Sequence, residues 1–338
     1  MAQGLSPWTC AALRGLGRFS APGGARGRLS ILIYHRILQE PAPLQPSEVA
    51  APTIAWHFGL LARCFTVLPL AEAVERLYRK ALPPRSVCIT FDDGYADNYT
   101  QALPLLQRFG LPATVFIASG YLNGNLMWNE ALMELIRRAP GETLDLTTRG
   151  WGVHPLTTLE ARRQILEALV KRLKYLHPLE RIRHIEAMAD EVGVVLNHRA
   201  MMTSEQVAAL AAAEVEIGAH TVNHPVLSHI DDAEARREIS ENRQHLQELT
   251  GRTIRFFAYP YGKPGRDFHR RHQQLVAQLG FRAAVTTAWG VSTPRSDPFG
   301  LARFSPWDAR PLPFGLRLLY NCVRNKPQIP GREQESGS

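Results

Sequence analysis

Cysteine is scarce in this chain: four in 338 residues, Cys10, Cys64, Cys88 and Cys322, with no CxxC pair and no short spacing among them. This excludes a zinc ribbon or knuckle and offers no disulfide framework, so the cysteines read as reduced and structural. Long apolar runs are also missing. The longest near the N-terminus, Trp8 to Leu13, is too short for a signal peptide core, and Arg14, Arg18, Arg26 and Arg28 only follow it. The charge-free segment Phe109 to Asn129 is long enough to span a bilayer. Its Pro112, three glycines, Ser119 and three asparagines mark it instead as soluble strand and loop. Short internal repeats are absent, which excludes a solenoid. Acidic residues are the scarcer sign, 31 against 39 Lys and Arg, and the formal charge of +8 favours anionic surfaces. Much of that excess sits at the two ends, and no nucleic-acid-binding motif accompanies it, so no nucleic acid partner is expected. The reading is of a cytoplasmic or peripheral membrane protein.

What is present is an ordinary globular composition, 45% hydrophobic and 21% charged, with room for a sizeable core. Residues 1–28, rich in Gly, Ala and Arg, read as a flexible basic leader, and 326–338 as a disordered tail. Between them, apolar runs of strand length alternate with helical patterns. Strands are predicted at 29–35, 86–91, 113–118, 215–219, 254–258 and 283–287, with helices including 96–108, 204–213, 232–249 and 266–279. Strand, helix, strand order implies parallel strands joined by crossovers. From about 121 to 202 the pattern is mostly helical, over 129–138, 158–176 and 179–192, and reads as an insertion in the 29–325 domain. The fold class is α/β, and a barrel of this kind gathers reactive groups at the C-terminal ends of its strands.

Those ends carry a constellation. Strand 86–91 stops at Asp92 and Asp93, strand 215–219 at His220 with His224 four residues on, and strand 254–258 at Tyr259-Pro260-Tyr261-Gly262. One carboxylate with two imidazoles leaves coordination positions open on a divalent ion, as a catalytic metal requires. The second carboxylate, kept off the metal, can act as general base. Adjacent residues at a strand end point in different directions, so Asp92 and Asp93 can divide the roles.

Thr90-Phe91-Asp92-Asp93-Gly94 and His220-Thr221-Val222-Asn223-His224-Pro225 resemble the first two motifs of the polysaccharide deacetylases of NodB-homology type, carbohydrate esterase family 4. The lead-in Met202 to Val207 with Glu216 to Ala219, and the strand-end triplet Tyr34-His35-Arg36, resemble that family as well. The resemblance implies a deformed (β/α) barrel and metal-dependent removal of N-acetyl groups from amino sugars of a polysaccharide or cell-surface glycan. It implies Asp92 as base, Asp93, His220 and His224 as metal ligands, and a backbone N–H near Tyr261 holding the oxyanion. Zinc is the expected ion, with cobalt or nickel suited to the same donors.

Two of the family's features depart from their usual form. The third motif, Arg-x-Pro-Tyr, reads Ala258-Tyr259-Pro260-Tyr261, without the Arg that orients the base. The late Leu-x-His motif, source of the general acid, has Leu301-Ala302-Arg303 in its region. His35 is therefore the candidate acid, the alternative being that Asp92 handles both proton transfers with water. Tyr95, Pro260 and Trp289 are candidate sugar contacts, since aromatic faces stack on apolar sugar faces. The amphipathic segment 313–326 is a candidate peripheral contact with an anionic membrane. The rival reading is a catalytically silent glycan-binding protein that keeps barrel and metal.

Overall fold

The computed structural model describes residues 7–323 apart from 47, 197–199, 307 and 309. Seven parallel strands form a barrel: β1 Ser30–Tyr34, β2 Ser86–Phe91, β3 Thr114–Ile117, β4 Glu216–Ala219, β5 Phe256–Ala258, β6 Ala283–Trp289 and β7 Leu301–Arg303, in that spatial order. The ring closes after β7, where the Phe304 N–H donates to Ile31 O at 2.8 Å and the Ile33 N–H to Phe304 O at 3.0 Å. The helices are α1 Pro7–Ser20, α2 Ala51–Cys64, α3 Leu70–Tyr78, α4 Leu103–Phe109, α5 Trp128–Arg138, α6 Leu159–Leu173, α7 Pro178–Glu191, α8 Ser204–Ala212, α9 Asp232–Thr250, α10 Arg270–Gln278 and α11 Pro311–Val323.

The strands are near-continuous apolar runs because both of their faces are covered. All six residues of β2 are buried. Alternate residues point into the barrel, where Ile31, Cys88, Phe116, Ala258, Val285 and Leu301 share one core. The opposite faces pack beneath the helices. Gly218 in β4 is required by this filling, since a Cβ there would lie 2.3 Å from the Phe116 ring. Helix ends follow local chemistry. Thr203 and Gln206 form a capping box on α8, Asp231 caps α9, and Gly110 and Gly251 end α4 and α9 in the left-handed conformation.

Two expectations change. Residues 1–28 are not a flexible leader: Pro7–Ser20 is the helix α1, packed on α2 and α11 with Leu13 fully buried, and residues 1–6 lie outside the described part. Cys10 and Cys64 are not reduced but joined in a disulfide between α1 and α2. The insertion holds α5, α6 and α7 together with an antiparallel hairpin of Thr143–Asp145 and Val153–Pro155 beside α6. The insertion has its own core, to which Tyr95 and Tyr261 of the barrel contribute. The amphipathic segment 313–326 falls largely on α11, whose Phe314, Leu318 and Cys322 are buried, while the 326–338 tail lies outside the described residues. Among the described residues, no helix is long and apolar enough to cross a membrane.

Candidate active site

Backbone geometry aims the functional side chains before any chemistry is considered. Of eight non-glycine residues with positive φ among the described residues, four stand at or just past the strand ends: Asp93 at 76°, Thr221 at 64°, His224 at 50° and Tyr261 at 59°. Such conformations cost about 1–3 kcal/mol each and persist where the surroundings over-determine them. Here they do. The His220 N–H donates to Asn242 Oδ1 at 3.0 Å, and Glu238 accepts from the N–H groups of Val222 and Asn223, both at 2.8 Å, so α9 clamps the loop carrying the two histidines.

Asp93, His220 and His224 converge. Asp93 Oδ1 lies 3.3 Å from His220 Nε2 and 3.4 Å from His224 Nε2, and the two Nε2 atoms are 3.1 Å apart. All three residues are buried, with their donor atoms within 4.8 Å of one another. The Ala258 carbonyl can only accept, so His220 Nδ1, 2.7 Å from it, carries the proton and Nε2 turns a lone pair to the centre. Lone pairs and a carboxylate facing one point are the donor set of a divalent cation, and the three residues fit that group.

Asp92 stands beside this trio and is held by a residue that sequence reasoning placed in no role. Arg303, at the end of β7, donates to Asp92 Oδ1 at 2.7 Å and to Oδ2 at 2.6 Å, a bidentate pair with both side chains buried. Two further donors are used as well, Nε on Thr286 O at 2.8 Å and Nη1 on Thr90 Oγ1 at 3.2 Å. Burial alone would raise the Asp92 carboxyl, but the charge of Arg303 and its hydrogen bonds hold it below the usual carboxylate range. Burial works against Asp93 in the same way, and the two neighbouring histidines, His220 first, overcome it. His224 is pushed down to about 3 by burial, with the nearby charges of His220 and Arg181 acting in the same direction, which keeps its imidazole neutral.

The cleft over these groups has a volume of about 390 Å³ and is lined by His35, Glu48, Asp92, Asp93, Tyr95, Trp128, Lys174, His220, His224, Tyr261 and Thr287, among others. His35, half-buried after β1, thus faces the same space as Asp92. Tyr261 turns its phenol away, where the oxygen accepts from Trp128 Nε1 and Arg181 Nη1, both at 3.1 Å. Tyr95 borders the cleft, but its hydroxyl donates to Glu130 at 3.1 Å and Arg36 lies over its ring, so most of the side chain packs inside. Pro260 is buried and does not line the cleft. Trp289 stands outside it, half-exposed and edge-on to Phe304.

The insertion is part of this site. Arg181 of α7 is fully buried and donates to the carbonyls of Asn223 and His224, both at 3.3 Å, while its guanidinium lies over the Trp128 ring of α5. Lys174, just past α6, sits over the Tyr261 ring and pairs with Asp267 at 3.0 Å. One wall of the cleft and the support beneath one histidine therefore come from outside the barrel.

Known proteins with this arrangement share its sequence pattern. A family model described as polysaccharide deacetylase matches residues 79–178 and 188–284, more than half of the chain and much of the insertion. A Bacillus subtilis (strain 168) protein, YxkH, which bears a polysaccharide deacetylase name, is 20% identical over 277 residues, covering 82% of this chain and 70% of its own length. Among solved structures, the Streptococcus pyogenes deacetylase PplD, in complex with acetate, matches with a TM-score of 0.59 at 18% identity, covering 86% of this chain and 98% of that one. IcaB from Ammonifex degensii matches at 0.54 and 18% identity, covering 88% and 97%. These two likenesses establish the fold, a deformed (β/α) barrel. With the family match across its two motif-bearing halves, the chain belongs to the polysaccharide deacetylase family, whose members hydrolyse the amide of N-acetyl groups.

Proposed function

We propose that this chain removes N-acetyl groups from amino sugars of a polysaccharide or cell-surface glycan, with a divalent ion held by Asp93, His220 and His224. Zinc is the expected ion, and cobalt or nickel suit the same donors. The observation that carries the reading is the meeting, in one cleft, of a charged carboxylate fixed by Arg303 and a separate carboxylate with two imidazoles. When bound, the ion supplies Lewis-acid polarisation of a carbonyl and lowers the pKa of water from 15.7 toward about 7.

The protein's own groups divide the rest. Asp92 takes a proton from the attacking water as the new carbon–oxygen bond forms. Arg303 keeps that carboxylate ionised and fixes both of its oxygens in place. The Tyr261 N–H, which has no protein acceptor among the described residues, is the donor for the developing oxyanion. His35 then gives a proton to the leaving amine as the carbon–nitrogen bond breaks, or Asp92 returns the one it took. The products are acetate and a free amine on the sugar. Tyr95 and Pro260 shape the walls behind the cleft, and Trp289 offers its exposed face to neighbouring sugar units of a polymer. A peripheral contact with an anionic membrane through 313–326 belongs to the same reading, with α11 as its described part.

The rival, a silent glycan-binding protein, drew its support from the missing arginine near Ala258 and the missing histidine of the late motif. Arg303, from β7, brings an arginine to Asp92, and a binding protein has no use for a buried arginine fork on a carboxylate beside a metal trio. Acetate release from N-acetylated glucosamine oligomers tests the choice. Activity is expected to vanish on chelation and return with zinc, cobalt or nickel; glycan binding without acetate would favour the rival. For the acid, His35→Gln is expected to lower turnover roughly 100-fold with metal content unchanged. Full turnover in that variant would assign both transfers to Asp92.

A further inference from the structure

The exposed apolar residues of this protein are not scattered. Of the twelve large apolar side chains exposed among the described residues, seven lie on α1 and α11: Trp8, Leu16, Phe19, Leu312, Leu316, Tyr320 and Val323. Trp8 is 84% exposed, Phe19 89% and Val323 62%. The two helices pack side by side, with Leu13 against Gly315 and Gly17 against Leu319. At 100° per residue, Trp8, Ala12, Gly15 and Phe19 share one outward stripe of α1, and Leu16 turns toward α11. There Leu16, Phe19, Leu316, Leu319, Tyr320 and Val323 enclose a shallow apolar groove of about 390 Å³.

The flank of α1 away from α11 is cationic. Arg14 and Arg18 occupy the next stripe of the helix, beside Arg63 at the end of α2, and the Arg85 side chain, just before β2, runs under α1 against Gly17. Arg14 donates to the Arg63 carbonyl, and Arg85 to the Arg14 carbonyl at 3.3 Å, so these groups share one small area. Burial, then the like charges of Arg14 and Arg18, hold the Arg85 guanidinium below its usual range. Among the described residues, no carboxylate forms an ion pair with any of the four.

We propose that α1 and α11 together form a docking face for an anionic lipid bilayer, with Trp8, Leu16, Phe19, Leu316 and Tyr320 entering the interface and Arg14, Arg18 and Arg63 meeting the headgroups. A broad apolar stripe bordered by arginines, with aromatic rings at its ends, is the pattern of a helix lying in a membrane surface. The Cys10–Cys64 disulfide and the buried Leu13 fix α1 on the barrel, so the face is formed before it meets lipid. Charge selects a bilayer over a second copy of the chain, because a two-fold interface through this patch would set the unpaired arginines against their own copies. Arg85 immediately precedes β2 and Asp92 follows its end, seven residues on, so docking this end of the barrel holds the cleft roughly 23 Å from the headgroups. The inference is independent of the reaction in the cleft.

Co-sedimentation of the full chain with vesicles of phosphatidylglycerol and of phosphatidylcholine tests it, at low and high salt. Binding is expected to the anionic vesicles alone and to fall as salt rises. Phe19→Ser with Leu316→Ser is expected to weaken it more than tenfold, and Arg18→Glu at least fivefold. Unchanged thermal unfolding of these exposed-residue variants shows that they fold, and their acetate release from soluble oligomers stays at the parent level. Absence of binding to anionic vesicles, or equal binding by all variants, would overturn the proposal. So would a concentration-dependent dimer that the same substitutions abolish, which would make a second copy the occupant.

Discussion

Arg303→Met is expected to lower turnover roughly 100-fold and to destabilise the fold by about 3–5 kcal/mol, with metal content unchanged. The stability loss follows from burial: Asp92 is 2% exposed, and removing its bidentate partner leaves a carboxylate without compensation in the barrel interior. The activity loss follows from aim. The guanidinium fixes both carboxylate oxygens, and misplacing a reacting group by about 1 Å can cost 10²-fold. Arg303→Lys separates the two effects, since it keeps a charge near Asp92 but cannot reproduce the fork or reach Thr286 and Thr90 together. Its turnover is expected to fall between parent and Arg303→Met, with most of the stability retained. Thermal unfolding and acetate release on the same preparations check both parts. Parent-like turnover in Arg303→Met would show that Asp92 needs no orienting partner.

Much of this site is legible in the sequence because its key residues sit in two short motifs at strand ends. Asp92-Asp93 follows an apolar run, and His220 and His224 follow another, so strand and loop patterning is enough to place them on one rim. Arg303 escapes because its contact with Asp92 spans 211 positions and depends on β7 closing against β1. One signal was available: Leu301 and Arg303 are two apart, so if Leu301 faces the barrel interior then a charge follows it inside. Arg181 escapes for a related reason. Its helix is readable from amphipathic spacing, but its docking under His224 is a tertiary event.

The leader is misread on propensity. Gly15 and Gly17 weaken an isolated helix, yet Gly17 lets α1 approach closely, because a Cβ there would sit 2.5 Å from Arg85 Cδ. Tertiary packing decides that segment, and its composition does not. The Cys10–Cys64 pair is hidden in the same way, since 54 positions separate two cysteines brought together only by the docking of α1 on α2. The hairpin in the insertion has three-residue strands, shorter than pattern reading resolves.

Asp92→Asn is expected to abolish turnover, with a loss of about 10³-fold. The substitution is nearly isosteric and touches none of Asp93, His220 or His224, so the metal trio persists. What disappears is the acceptor for a proton, and general-base catalysis contributes about 10²–10⁴-fold. The buried Arg303 then loses its counter-charge, so the variant also unfolds more readily and is assayed where circular dichroism shows it folded. The most direct measurement is acetate release from N-acetylated glucosamine oligomers by parent and Asp92→Asn, each with its metal content determined on the same sample. One equivalent of metal in both, with acetate from the parent alone, is the expected result. Comparable acetate release by the two proteins would contradict the assignment of Asp92 as the base beside the metal.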